Sequence, residues 1–243
     1  MPCFDDISQI KAIEQGLSHH CYQVVSNRTR FFVKHYPIEK CSNKETIQTK
    51  AIKQLAVLAG ELECSPRIIY QNDQWQVQAF ITGESLQSKD LILSDKLKIA
   101  IELMVISHKN LTTRLVQLPT FHDLPVMNCK ALVNELFEKL SQKNQEFTRK
   151  YLEHFDQSLP INPNIICHGD INFTNIIVAE RSWLIDFDCA IFADAEFDIA
   201  MMISINELIG PDVALCIDEC INIYNTLYYN SENTGSGQKI TAK

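Results

Sequence analysis

Ile165-Ile166-Cys167-His168-Gly169-Asp170-Ile171-Asn172-Phe173-Thr174-Asn175-Ile176-Ile177-Val178, followed by Trp183-Leu184-Ile185-Asp186-Phe187-Asp188, is the stretch on which the reading of this chain turns. A strand-like apolar run delivers His-Gly-Asp into a loop, and an Asn stands five residues beyond the Asp. A short hairpin then ends in a second Asp between Ile and Phe. Transfer of a phosphoryl group from ATP needs parts of this kind. One carboxylate must orient the acceptor hydroxyl and take its proton, which suits Asp170. Hard oxygen ligands must hold Mg²⁺ against the phosphates, which suits Asn175 and Asp186. His168 then reads as an anchor whose imidazole bonds to loop backbone. Each residue alone has a plainer reading, a solvated turn acid or a core histidine. The order and spacing of the whole set mark a catalytic centre.

Working outward, the first third of the chain is β-rich with one helix. Residues 19–26 and 29–36 are strand-like runs joined at Ser26-Asn27-Arg28, and Pro37 ends the second. Ser42 with Glu45 three residues on has the form of a capping box. The helix that follows carries Ile47, Ala51, Leu55 and Leu58 on one face and stops near Gly60. Two more runs surround an Asn72-Asp73 turn, so the predicted order to Ile81 is β-β-α-β-β. After Thr82-Gly83 the pattern turns helical, at about 94–108, 128–155 and from about 197 onward, interrupted by the β-turn-β segment 165–186. The expectation is an α+β, bilobal fold: residues 1–82 a nucleotide-binding lobe, 83–230 a catalytic and substrate-binding lobe, and 231–243 a polar, disordered tail.

Bulk properties narrow the class. The net charge of −8 is uneven: residues 1–83 hold 9 Lys+Arg against 8 Asp+Glu, and the rest hold 13 against 22. An acidic second half repels phosphate backbones, so no nucleic-acid partner is expected. No apolar run reaches the ~18–20 residues a membrane span needs. The start, MPCFDDISQIK, lacks the basic region of a signal peptide. Nine cysteines, with no C-x-x-C and several inside apolar runs, read as reduced buried thiols in a cytoplasmic protein. Cys216 and Cys220 are one helical turn apart but do not by themselves complete a metal site.

At these residues the chain resembles the aminoglycoside phosphotransferase and choline kinase superfamily, relatives of protein kinases with the same bilobal fold. The pattern H-G-D-x-x-x-x-N, then I-D-[FW]-[DE], is matched by His168, Gly169, Asp170, Asn175, Ile185, Asp186, Phe187 and Asp188. Protein kinases carry Arg where Gly169 stands and D-F-G where Asp186-Phe187-Asp188 stands, so a small-molecule acceptor is implied. The resemblance makes Asp170 the catalytic base and gives Asn175, Asp186 and Asp188 to the metal, Asp188 with a structural role as its alternative. Asp194 to Ala200 looks like the family's D-P-x-x-D-[LI]-A, which makes Asp198 a buried brace for the catalytic loop. Gly16-Leu17-Ser18-His19-His20-Cys21-Tyr22 is similar to the nucleotide loop of bacterial choline and thiamine kinases, so Gly16 and Ser18 are expected at the phosphates. Lys34 falls on the strand whose lysine contacts the α/β-phosphates. The backbone of Ala79 to Ile81 falls at the hinge that pairs with adenine. His108 is read as packing.

One departure stands out. The family's helix glutamate, the usual partner of the strand lysine, is replaced by Gln48, with Glu45 one turn earlier as a substitute. The expected function is transfer of the γ-phosphate of ATP, with Mg²⁺, to a hydroxyl of a small cationic molecule of the choline, ethanolamine or thiamine kind. Trp183, Tyr224, Tyr228 and Tyr229 are candidate aromatic contacts for that cation. The alternatives are an antibiotic kinase of the aminoglycoside type and a nucleotide-binding pseudokinase with a regulatory role. An all-helical interaction module fails on the β-rich first third.

Overall fold

The computed structural model describes residues 3–13, 19–36, 47–114, 120–127, 135, 137–146, 149, 165–208 and 213–229. Ser42, Glu45, the tail after Tyr229 and most of 128–155 lie outside them. The fold is α+β and bilobal, as the sequence leads one to expect. An antiparallel five-stranded sheet opens it, in the spatial order β1-β2-β3-β5-β4. Its strands are β1 (Ile7–Ile13), β2 (His20–Ser26), β3 (Thr29–His35), β4 (Ile68–Gln71) and β5 (Trp75–Ala79). Helix α1 (Ile47–Glu61) lies between β3 and β4 in sequence. The β2–β3 connection is a two-residue turn in which Asn27 and Arg28 have φ of 49° and 64°. Positive φ at both positions matches the right-handed twist of the strands it joins. Val24, Val33 and Val77 meet on one face of this sheet as a small core of their own.

The predicted β-β-α-β-β order omits a strand. Ile7, Ile10 and Ile13 are spaced by three, a period that does not announce β structure. The strand forms at the sheet edge, where β1 has no buried face: its first six residues are exposed. Pairing with β2 holds it, over Gln9–Ile13 opposite Val25–Cys21. Backbone bonding made this strand, and side-chain periodicity gives no sign of it.

The second lobe is built on a larger core. Helix α2 (Leu93–Arg114) extends beyond the predicted 94–108 and buries Leu97, Ala100, Ile101, Met104, Val105, His108 and Leu111 along one stripe. Two small sheets carry the loops: β7 (Ile165–Cys167) pairs with β10 (Ile191–Ala193), and β8 (Ile176–Val178) lies between β6 (Glu84–Ser85) and β9 (Ser182–Leu184). Helices α3 (Ala195–Ile205) and α4 (Val213–Tyr229) follow. The chain crosses between lobes at Gly83, where an added Cβ would lie 2.5 Å from the Val178 carbonyl oxygen. That approach of the crossing to β8 leaves no room for a side chain.

Candidate active site

The His-Gly-Asp loop leaves β7 and is held from behind by one buried carboxylate. Asp198, on the first turn of α3, is fully buried and accepts from the backbone N–H groups of His168 (2.7 Å) and Gly169 (2.8 Å). It also accepts from His108 Nε2 at 2.9 Å, and Tyr224 donates its hydroxyl to His108 Nδ1 at 2.8 Å. Burial alone would raise the Asp198 carboxyl, but the His108 bond and the Gly169 N–H hold it below its ordinary value. Burial pushes the Tyr224 phenol up, so it stays a donor. His108 therefore does more than pack. His108, Cys167 and Asp198 have ligand atoms within 4.8 Å of one another. They do not form a free metal site, because Asp198 is already engaged by three N–H donors and Cys167 Sγ bonds Asp194 O at 3.3 Å.

His168 is fixed from two sides. Its Nδ1 accepts from the Asp170 N–H at 3.2 Å, so the proton sits on Nε2 and is donated to Ile185 O at 2.9 Å. The ring edge meets Phe187 with centroids 4.6 Å apart. One imidazole thus ties the loop that carries Asp170 to the strand end that carries Asp186. Gly169 has φ of +78°, and an added Cβ would lie 2.2 Å from the Cys189 carbonyl oxygen. Only glycine satisfies both the angle and the contact.

Asp170 and Asn175 are joined directly. Asn175 Nδ2 donates to the Asp170 carboxylate at 2.9 Å and to its main-chain oxygen at 3.0 Å. The 310 turn Phe173–Asn175 places the amide, capped by Asn172, whose side-chain oxygen accepts from the Thr174 N–H. The next turn places the other acids: Asp186 adopts φ 66°, ψ 66° just before the 310 turn Phe187–Cys189. A non-glycine residue in this left-handed region stores strain of about 1–3 kcal/mol, which is typical of functional positions. Burial first, then the nearby charges of Asp170, Asp186 and Asp188, push the Cys189 thiol up.

From the first lobe, Lys34 on β3 reaches across the cleft. Its residue is only 5% exposed, and Nζ lies 2.7 Å from both Asp186 Oδ1 and Asp188 Oδ2. Burial would lower its ammonium, but the Asp188 and Asp186 charges raise it well above the ordinary lysine value. His19 adds a second contact, Nε2 to Asp188 Oδ2 at 3.1 Å. Among the described residues, the partners of Lys34 are these two acids. Gln48, expected beside it, stands exposed at the start of α1. Glu45, and Gly16 and Ser18, expected at the phosphates, lie outside the described residues. At the expected hinge, the Ala79 N–H donates to Arg67 O at 3.0 Å, and Ile81 is half-buried. Sequence reasoning had no role for His19; its place in the Gly16-Leu17-Ser18-His19 run was the available signal.

A sequence model of the family described as "Phosphotransferase enzyme family" matches residues 9–225. Solved structures share the fold at low identity. An ethanolamine kinase from Plasmodium vivax is 15% identical, covers 90% of this chain and 72% of its own, and superposes with a TM-score of 0.56. A macrolide 2′-phosphotransferase from Brachybacterium faecium is 10% identical, covers 90% and 77%, and gives 0.64. A spectinomycin phosphotransferase solved with ADP and spectinomycin is 16% identical, covers 95% and 77%, and gives 0.54. No curated protein matches the chain significantly. With the family matched over most of its length, this chain belongs to the phosphotransferase enzyme family and shares its fold with an ethanolamine kinase and with antibiotic phosphotransferases.

Proposed function

We propose that this protein transfers the γ-phosphate of ATP, with Mg²⁺, to a hydroxyl of a small cationic alcohol of the choline, ethanolamine or thiamine kind. The observation that carries the reading is the Asp170–Asn175 bond. It aims the Asp170 carboxylate from one side and leaves its other oxygen for the acceptor. Asp170 accepts the hydroxyl proton as the oxygen attacks the γ-phosphorus, and the bond from phosphorus to the β–γ bridging oxygen breaks to release ADP. Because Asn175 spends its NH₂ on Asp170, its amide oxygen is presented as a hard donor, and Asp186 keeps Oδ2 beside the oxygen bonded to Lys34. That donor set fits Mg²⁺, which would be held by Asn175 and Asp186 and would neutralise charge developing on the phosphates.

Residues 1–82 then bind the nucleotide, with Lys34 at the phosphates, Gly16 and Ser18 in the loop over them, and Ala79 and Ile81 at adenine. Since the Ala79 N–H is taken by Arg67, an adenine contact there falls to the Ala79 carbonyl. Residues 83–230 bind the acceptor. Support for a cation comes from charge, 22 acids against 13 bases in residues 84–243. The aromatic candidates already have neighbours: Tyr224 is buried against His108, Tyr228 stacks on Tyr224 with Lys109 Nζ 5.0 Å from its ring, Tyr229 meets Tyr228 edge-on, and the Arg181 guanidinium lies 3.6 Å above the Trp183 ring. Cys3, Cys21, Cys64, Cys167, Cys189 and Cys220 are reduced thiols, in keeping with a reducing cytoplasm. No helix among the described residues is long and apolar enough to cross a membrane.

The test is ADP release from ATP and Mg²⁺ with choline, ethanolamine, thiamine, several aminoglycosides and simple sugars. Turnover with a cationic alcohol is expected. Turnover confined to aminoglycosides would move the assignment to the antibiotic kinases. ATP binding without turnover for any acceptor would leave a nucleotide-binding regulator.

A further inference from the structure

Lys34 poses an electrostatic problem that the sequence leaves open. A buried ammonium is tolerated only with a carboxylate partner, and the helix position expected to supply one is Gln48, exposed to solvent. Two acids meet the lysine instead, and they are not equivalent. Among the described residues, Asp186 is bonded through Oδ1 to Lys34 alone. Asp188 offers Oδ2 to both Lys34 Nζ and His19 Nε2, so the same oxygen is gripped twice from the first lobe. His19 is itself positioned, its ring 4.5 Å from that of Tyr36, and Lys34 Nζ lies 5.7 Å from the same ring.

Exposure ranks the two acids in the same way: Asp186, in its left-handed conformation, is the more exposed, and Asp188 the more enclosed.

We propose that Asp188, steadied by His19, is the standing counter-ion of Lys34, taking the part that the neutral, exposed Gln48 of α1 does not fill and leaving Asp186 free for the metal. Asp188 and His19 are then positioning residues that act through Lys34, and Asp188 is not a second metal ligand. This rests on the reading of the cleft as a nucleotide site. In the nucleotide-free protein Lys34 holds both acids. On loading, its tie to Asp186 is given up and its tie to Asp188 persists.

The experiment is a pair of double-mutant cycles read by thermal melting, K34M with D188N and K34M with D186N, each run without ligand and with Mg²⁺·ADP. Without ligand, D188N is expected to lower the midpoint by ~5 °C or more in the Lys34 background, and by less than ~2 °C in the K34M background. With Mg²⁺·ADP the Lys34–Asp188 coupling remains and the Lys34–Asp186 coupling disappears. Loss of both couplings on loading would make Asp188 a metal ligand and overturn the proposal. H19A is expected to shrink the Lys34–Asp188 coupling and H19Q, which keeps a donor, to restore most of it; an unchanged coupling in H19A would remove His19 from the arrangement. Recovery of D188N by Q48E would place the counter-ion on α1 after all. Should D188N alone fail to fold, K34M/D188N removes both charges, and its folding supports the pair while its failure counts against it. The ligand-free arm uses neither acceptor nor turnover. If ADP produces no shift in the wild type, the nucleotide reading fails while the ligand-free coupling can still be measured.

Discussion

Asn175 Nδ2 bonds both the carboxylate and the main-chain oxygen of Asp170, so the proposed base and the loop amide form one hydrogen-bonded unit. Replacing Asp170 by Asn keeps the volume and removes the base. Turnover should fall by ~10³, with the KM for ATP nearly unchanged, as steady-state kinetics would show. A loss of less than tenfold would mean that another group takes the hydroxyl proton.

Lys34→Met should act on the nucleotide. Its ammonium is the cation that the structure brings from β3 to the acids of the cleft. The KM for ATP is expected to rise at least ~10-fold, the value of about 1.4 kcal/mol of binding. An unchanged KM would remove Lys34 from the phosphate site.

Gly169→Ala meets two obstacles, a left-handed φ and a carbonyl oxygen 2.2 Å from the new methyl. The strain is worth about 1–3 kcal/mol. At ~2–4 °C per kcal/mol for a chain this long, melting should fall by several degrees. Activity should fall further than stability accounts for, since the loop that moves is the one that carries Asp170. Full activity at 25 °C would show that the Cys189 carbonyl yields easily.

Asp198 gives the fold an acid limit. Its folded-state carboxyl lies below the ordinary value, so its stabilising contribution is complete above about pH 4. That contribution is lost as pH falls toward the folded value. Asp188 adds to the same window. Asp198→Asn should flatten the loss of stability below about pH 4, measured by denaturant unfolding at a series of pH values, while lowering stability at pH 7. Tyr224→Phe, which leaves His108 Nδ1 without its donor, should cost about 1–3 kcal/mol at neutral pH.

The Arg181–Glu63 bridge is a useful contrast. Both side chains are largely exposed, at 46% and 72%, and the bond is 2.8 Å long. Glu63→Gln should change stability by less than ~1 kcal/mol and leave turnover alone. A large effect would show that this junction of the α1–β4 loop with the β8–β9 turn matters to lobe placement.

What the sequence revealed, and what it did not, follows the range over which each signal acts. His168, Gly169, Asp170, Asn175 and Asp186 sit close together in the chain, and local spacing was enough to mark them as one candidate set. Helix α2 was legible because its buried stripe repeats every three to four residues. The partner of Lys34 was not, because Asp186 and Asp188 lie 152 and 154 residues away. Counting back along α1 finds a helix face but cannot say which loop will arrive opposite β3. The strand β1 escaped for a different reason, since an edge strand that buries almost nothing leaves no periodic trace. Tyr224, named with Trp183, Tyr228 and Tyr229 as a candidate contact for a cation, is 1% exposed and bonds the histidine that holds Asp198.

That last chain of contacts, Tyr224 to His108 to Asp198 to the backbone of His168 and Gly169, has a consequence for biosynthesis. The His-Gly-Asp loop emerges from the ribosome well before α4, whose tyrosine completes its support. Domains assemble as their segments become available, N-terminal parts first. During translation the first lobe can therefore close its sheet early, while Asp170 is still held by an unfinished scaffold. A nascent chain arrested before Tyr224 should carry every residue proposed for catalysis and still be slow, because the last brace has not been made.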